Sequence, residues 1–485
     1  MKMRVRKSID VRRARGDLLV VPVPADPTAD APPLADIDDP LGGVVTGCIA
    51  DGEVTGAVGE VTVLHTGGRL PAPRVVLVGV GGGGPDAWRA AGRAAGSHAR
   101  DLRAREVAVL TAEPRGDMVT AFAGAFADGN YRFTRYRTDT DAGGVPAREL
   151  RVHLARRHHR PAGPGIRGGD AVETARDLGN TPANHLTPAA LAAHARTVAD
   201  ARPHLRCTVL GQRELVRLKA GAILAVAEAS ALPPAMIVLR YTPERHRSQA
   251  VLGLVGKAVT FDTGGISIKP SGGMEEMKLD MAGGAAVLEA MGLIARIGPP
   301  VEVIGVIPCA ENMVSGAAMR PGDVITAMNG RTIEVLNTDA EGRLLLADAL
   351  CHAVNLGATH LVDLATLTGS IVSTFGEGSY AGLFGSDPRW TDVVRSSADD
   401  AGEMVWPMPM HEDYRRLFSS RVADLANNTP KRWGHAIAAA MFLREFTSGL
   451  PWCHLDIAGT GMVDGAATGY GVSTLLHVAE ALALS

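Results

Sequence analysis

Apolar runs broken by Gly, Pro and charge give the first outline of this chain. Residues 18–22 (LLVVP), 75–80 (VVLVGV) and 106–111 (EVAVLT) are near-continuous rather than alternating, as expected of strands buried on both faces. Between the last two lies DAWRAAGRAAGSHARDLRAR, an Ala/Arg-rich helix, and strand–helix–strand predicts a parallel α/β sheet. Residues 151–169 (RVHLARRHHRPAGPGIRGG) then concentrate charge, Pro and Gly, which predicts a linker. Beyond it a helix (AVETARDLGNTPAN) leads into a longer α/β unit. Strands are expected at 251–256, 301–308, 332–336 and 360–366, and helices at 282–297, 341–356 and near 436–447. The predicted fold class is α/β in two domains. A smaller N-terminal α/β domain covers 1–165, and a larger C-terminal one covers 166–485, with a mixed central sheet flanked by helices.

Composition narrows the class. Aromatic residues make up only 4 %, so the core must rest on Ala, Val, Leu and Ile. A formal net charge of −3 gives no bulk attraction to nucleic acid or anionic lipid. Five scattered cysteines without a CxxC pair fit reduced thiols in a cytoplasmic protein better than a disulfide framework. The basic start, MKMRVRKSIDVRRARG, runs into a strand rather than a long apolar segment, so no signal peptide is expected. No apolar stretch reaches the ~18 residues a membrane span requires.

Gly79, Gly81 and Gly84 fall in GxGxxG spacing after a strand, the context of a dinucleotide-binding loop. Glu113, near the end of the next strand and a candidate ribose acid, lies about 29 residues past the loop where about 20 is usual. A tight strand-to-helix turn is the better reading.

Chemistry concentrates in two segments of the second domain. VGKAVTFDTGGISIKPSGGMEEMKLDMAGG carries Lys257, Asp262, Lys269 and Asp280; VLNTDAEGRLLLADAL carries Asp339, Glu341 and Arg343. Both follow expected strands, and ligands of open α/β sheets sit beyond strand carboxyl ends. Asp339 and Glu341, two apart, face one side if the backbone there is extended. Two like charges about 4 Å apart repel by roughly 4 kcal/mol at an effective dielectric of about 20. Gathering four carboxylates therefore calls for compensation, and two divalent cations would supply it. Lys257 could join as a neutral amine ligand, while Lys269 and Arg343 leave positive charge for an oxyanion or small anion.

NTDAEGRL at 337–344 resembles the signature of the leucyl aminopeptidase family of dinuclear metallopeptidases. VGKAVTFDTGGISIKP, MKLDMAGGAAV, RDLGNTPANHLTP, ENM…RPGDV, DLATLTG and HLDIAG resemble its other segments, from about residue 170 onward. Residues 1–165 match by position the family's variable N-terminal domain. The resemblance implies a cytoplasmic aminopeptidase acting on peptides, with leucine and other apolar N-terminal residues preferred. It further implies two Mn²⁺ or Zn²⁺ ions per subunit. One would be held by Asp262, Asp339 and Glu341, the other by Lys257, Asp262, Asp280 and Glu341, with a bridging water as nucleophile. Lys269 would polarise the scissile carbonyl. Arg343 would cradle a bicarbonate acting as general base, helped by the main chain near Leu367. Met277, Asn337, Thr366, Gly369 and Ala458 would line the substrate pocket, and the family's usual assembly is a homohexamer.

The chain departs from the family at 427–437, where NNTPKRWGHAI replaces a Gly-rich turn and Trp433 and His435 stand for small residues. A competing reading is DNA binding through the basic N-terminus (Lys2, Arg4, Arg6, Lys7, Arg12, Arg13, Arg15) and Arg156, Arg157, His158, His159 and Arg160. Such runs are more often solvated faces, so a nucleic-acid partner is not the expectation. A third reading is a metal-binding scaffold that has lost catalysis. The presence of Lys269 and Arg343 beside all five ligand positions speaks against it.

Overall fold

The computed structural model describes residues 1–6, 9–112, 115–139, 143–154, 164–431 and 433–484. Much of the expected linker lies outside these residues, as do Lys7, Glu113 and the basic cluster at 156–160. The chain forms two compact units, Met1–Glu173 and Thr174–Ser485.

In the first unit, strands β1 (Lys2–Arg6), β2 (Leu18–Pro24), β3 (Val61–His65), β4 (Arg74–Gly81), β5 (Glu106–Thr111) and β6 (Glu149–Leu154) form one sheet in the order β1-β6-β5-β2-β4-β3. All neighbours are parallel except β3 and β4. The unbroken apolar run of β2 has a simple cause. Leu18 and Val20 pack with helices Pro85–Asp101 and Gly116–Asn130, whereas Leu19 and Val21 pack on the other face. Part of the N-terminal positive charge is neutralised internally, since Arg4 pairs with Glu149 at 3.3 Å and Arg13 with Asp10 at 3.4 Å.

The glycine loop after β4 is occupied by the chain itself. A Cβ on Gly79 would lie 1.8 Å from the carbonyl oxygen of Ala57. The Gly79 and Gly81 amides donate to the Glu60 and Gly56 carbonyls, both at 2.9 Å. These glycines admit a neighbouring backbone, and the amides of Gly79 and Gly81 are engaged by it rather than by a ligand.

In the second unit, a nine-stranded mixed sheet contains β7 (Leu205–Leu210), β8 (Ala235–Tyr241), β9 (Val251–Gly256), β10 (Ala258–Asp262), β11 (Glu302–Asn312), β14 (His360–Ala365), β15 (Ala381–Gly385), β16 (Val405–Pro407) and β18 (Trp452–Asp456). Its order is β16-β15-β18-β14-β9-β11-β8-β7, with β10 paired to β11. The central strands β18, β14, β9 and β11 run parallel, and β15 and β8 flank them antiparallel. The expected strand at 332–336 is shorter, Thr332–Glu334 (β13), and lies outside this sheet. It pairs with β12 (Val324–Thr326) and β17 (Leu425–Ala426) in a separate three-stranded sheet.

Helix Gly342–Asn355 is buried along most of its length, and this explains a charged residue within it. Asp348 is fully buried. Its carboxylate accepts from the amides of Ala222 (2.9 Å) and Ile223 (3.0 Å), opening helix Gly221–Ala227, and from Met328 (2.7 Å). It caps that helix from another element, since Ala220 offers no side-chain acceptor. Burial nevertheless pushes its carboxyl up to about 7.

The sign of the pH effect follows. Between about pH 4 and 7 the folded state retains a proton that the unfolded state has lost, so this group's contribution to stability falls as pH rises. The stability advantage of wild type over Asp348→Asn should shrink across this window by up to about 1.4 kcal/mol per pH unit. Urea unfolding at several pH values checks this; a flat difference would mean the folded carboxyl is ionised throughout.

Candidate active site

The site lies at the carboxyl ends of the parallel strands. The continuous run VLGLVGKAVTFD is split into β9 and β10 at Lys257, whose amide donates to the Leu364 carbonyl (3.1 Å) across the sheet. The Lys257 side chain is buried, and its ammonium lies 2.8 Å from Asp280, 2.8 Å from Glu341 and 3.1 Å from the Thr366 carbonyl. Asp262 ends β10, Asp280 precedes helix Ala282–Ile297, and Glu341 precedes helix Gly342–Asn355. One oxygen from each of Asp262, Asp280 and Glu341 lies within 4.8 Å of the others, and all three residues are buried.

Asp339 joins this group through a second lysine. Lys269 sits 2.9 Å from Asp262 and 2.6 Å from Asp339, so each lysine bridges two carboxylates. The backbone at Glu341 is helical rather than extended (φ −78°, ψ −36°). Asp339 and Glu341 therefore address different lysines instead of lying side by side.

Neutral groups fix the acids. Asp262 Oδ1 accepts from Asn312 Nδ2 and from the Gly264 amide, both at 2.8 Å, and Asn312 also reaches the Thr338 carbonyl at 3.1 Å. The Thr366 hydroxyl donates to Asp280 Oδ1 at 2.8 Å. Asp280 Oδ2 is buried without a hydrogen-bond partner among the described residues. Burial raises the Asp262, Asp280 and Asp339 carboxyls, and neighbouring carboxylates push the same way. Burial alone would lower Lys257 and Lys269, but the surrounding acids outweigh it and both are raised. Four carboxylates against two ammonium groups leave the cluster negative, which suits hard divalent cations.

Arg343 is different. Its guanidinium is buried and donates through Nη1 to the Asn427 carbonyl at 2.8 Å, while Nε has no partner. Burial lowers it to about 10, with Glu341 and Asp456 acting the other way at longer range. At about 10 it is still cationic at neutral pH, and it keeps an unused donor in Nε.

Of the six residues expected to line the pocket, three bond to residues of the cluster: Thr366 as above, Asn337 and Met277. Asn337 Oδ1 accepts from the Asp339 amide (2.9 Å), and the Met277 carbonyl accepts from the Asp280 amide (3.4 Å). The amides of Leu367 (3.2 Å) and Ala458 (3.3 Å) donate to buried Asp456, which closes β18. Gly369 opens helix Gly369–Phe375 and is exposed. Three supporting residues escaped selection from the sequence: Asn312, Asp456 and Asn427. Each lies inside a segment singled out for other reasons. In the altered 427–437 loop Trp433 is 64 % exposed, with Lys431 Nζ 5.6 Å over its ring.

A glycine makes room for the buried lysine. A Cβ on Gly342 would stand 2.6 Å from Lys257 Cε and Nζ. Alanine in a helix interior is favoured over glycine by roughly 0.5–1 kcal/mol, an upper bound at this first helical position. Displacing a buried lysine held by two carboxylates outweighs that gain, so Gly342→Ala should lower the melting temperature and reduce kcat and metal affinity about 10- to 100-fold. A fully active variant would show that Lys257 need not stand where it does.

A model described as the cytosol aminopeptidase family, catalytic domain, matches residues 173–476, and that family's N-terminal domain model matches 20–140. A probable cytosol aminopeptidase of Solibacter usitatus is 47 % identical over 434 residues, 86 % of this chain and 87 % of that protein. Another from Acidovorax sp. (strain JS42) is 41 % identical over 472 residues, 95 % and 92 % of the two chains. Among solved structures, a mutant of tomato leucine aminopeptidase is similar with a TM-score of 0.86 at 35 % identity, covering 99 % of this chain and 96 % of that one. The bottromycin maturation enzyme BotP in complex with Mn gives 0.83 at 33 % identity, covering 96 % and 99 %.

Proposed function

The chain belongs to the cytosol aminopeptidase family and is a metal-dependent aminopeptidase, and on that premise we propose how its side chains divide the work. One observation carries the reading: three buried carboxylates converge within 4.8 Å, flanked by two lysines, at the carboxyl ends of parallel strands. Lys257, Asp262, Asp280, Asp339 and Glu341 would hold two divalent cations. Manganese is the candidate favoured by the Mn complex of BotP; zinc suits the same donors. Bound there, such ions supply Lewis acidity and a water acidic enough to attack near neutral pH.

The remaining chemistry belongs to the chain. Asp280 Oδ2, buried and unpartnered, accepts from the free amine of the substrate and restricts cleavage to N-terminal residues. Lys269 donates to the scissile carbonyl and stabilises the oxyanion as the carbon becomes tetrahedral. Arg343, cationic with a free Nε–H, holds a small anion of the bicarbonate class, which passes a proton from water to the leaving amine. Met277, Asn337, Thr366, Leu367, Gly369 and Ala458 form the wall against an apolar side chain such as leucine. The proposal includes a homohexamer in the cytoplasm, supported by family membership and by the five free cysteines. Among the described residues no helix is long and apolar enough to cross a membrane.

Hydrolysis of leucine p-nitroanilide should stop on chelation and return with Mn²⁺ or Zn²⁺, while N-acetyl-leucine p-nitroanilide stays intact. Glu341→Ala should be inactive, and Lys269→Ala should lose about 10²- to 10³-fold in kcat. Equal cleavage of the blocked substrate would remove the role of Asp280. Bicarbonate should stimulate wild type but not Arg343→Ala; equal stimulation of both would take the anion away from Arg343.

A further inference from the structure

Asn427 is fully buried and stands at the end of β17, where it links two parts of the site. The β13–β17 ladder ends at the pair Glu334 and Ala426, and the Asn427 amide adds one more bond to the Glu334 carbonyl (2.9 Å). There the opposing chain leaves strand geometry to form the turn carrying Asp339 and Glu341. The side-chain amide of Asn427 continues the pairing where backbone no longer can. Its Oδ1 accepts from the amides of Leu336 (2.8 Å) and Asn337 (3.3 Å). Its Nδ2 donates to the carbonyls of Asn337 (2.7 Å) and Ala340 (3.4 Å). Its own carbonyl accepts from Arg343 Nη1 (2.8 Å).

We propose that Asn427 is a positioning residue that sets the metal-ligand turn and the Arg343 guanidinium in one frame. A carboxamide suits this place because it presents an acceptor and a donor together, as a peptide group does. Every polar group of Asn427 is used: backbone N–H and C=O, Oδ1 and Nδ2. The amide touches neither the carboxylate oxygens nor a reacting atom, so its effect passes through Asp339, Glu341 and Arg343. The inference rests on the metal-centre reading above.

Asn427→Ala removes the clamp. The isosteric Asn427→Asp keeps an acceptor for Leu336 and Asn337 but sets a carboxylate against the carbonyls of Asn337 and Ala340. Both should weaken Mn²⁺ binding, measured by calorimetry on chelator-stripped protein, about 10- to 100-fold, the scale typical of residues that orient metal ligands. kcat for leucine p-nitroanilide should fall on the same scale with a smaller change in KM, and bicarbonate stimulation should weaken. Asp348→Asn, a buried change on the same helix as Arg343 but away from the turn, is the control for lost stability. Wild-type Mn²⁺ affinity and kcat in a folded Asn427 variant would overturn the assignment, as would losses no greater than those of an equally destabilised Asp348→Asn. Where Asn427→Ala does not fold, Asn427→Asp decides on the same readouts. Failure of wild type to bind Mn²⁺ would instead remove the metal-centre reading itself.

Discussion

Gathering four carboxylates at one end of a sheet is the demand to which the second unit is built. At separations of a few ångströms inside a protein, like charges repel by several kcal/mol per pair, and burial removes the water that would screen them. The structure meets this with cations in fixed places. Lys257 lies between Asp280 and Glu341, and Lys269 between Asp262 and Asp339. Neutral donors from Asn312, Thr366 and the Gly264 amide orient individual oxygens without adding charge. Even the sequence of a helix start is set by this demand, because Gly342 leaves the volume that the Lys257 side chain fills.

Much of this was legible in the sequence, for physical reasons that differ by residue. The helix expected at 282–297 coincides with Ala282–Ile297, and β9 with 251–256, because apolar periodicity and buried runs are local signals. The acids and lysines were visible as charges beside glycines at strand ends. Partnership was harder to read. Asp339 and Glu341 are two apart yet bond to different lysines, because a helix begins between them and turns the second away. The strand expected at 332–336 ends two residues early and pairs with β12 and β17 rather than with the main sheet, partners that no local pattern announces. Asn427 was the least legible, since its acceptors and donors come from backbone some 91 positions away in sequence. The short strands β10, β16 and β17 offered too few residues for any period to show.

The first unit shows the same limit from the other side. Its GxGxxG spacing is real, yet the space beside Gly79 is taken by the Ala57 carbonyl and the Gly79 and Gly81 amides serve residues 56–60. Glycine permits close approach; it does not specify what approaches. At Gly79 and Gly81 what approaches is the chain's own backbone.

Arg343 sharpens the contrast with the lysines. Each lysine is held by two carboxylates within 2.9 Å, whereas Arg343 is buried with one carbonyl partner and a vacant donor. Burying a cation without a counter-ion costs stability, and a protein shaped only for stability would have paired it or replaced it. The crevice therefore carries two opposite unmet demands: carboxylates in excess of cations at one place, and a cation lacking an anion at another. In the proposed function, metal ions would answer the first and a small anion the second. Asn427 ties the two, because its side chain holds the turn of the acids while its carbonyl holds the guanidinium. A site that only bound metal would have no use for the second demand; hydrolysis, which must both stabilise an oxyanion and move a proton, has a use for each.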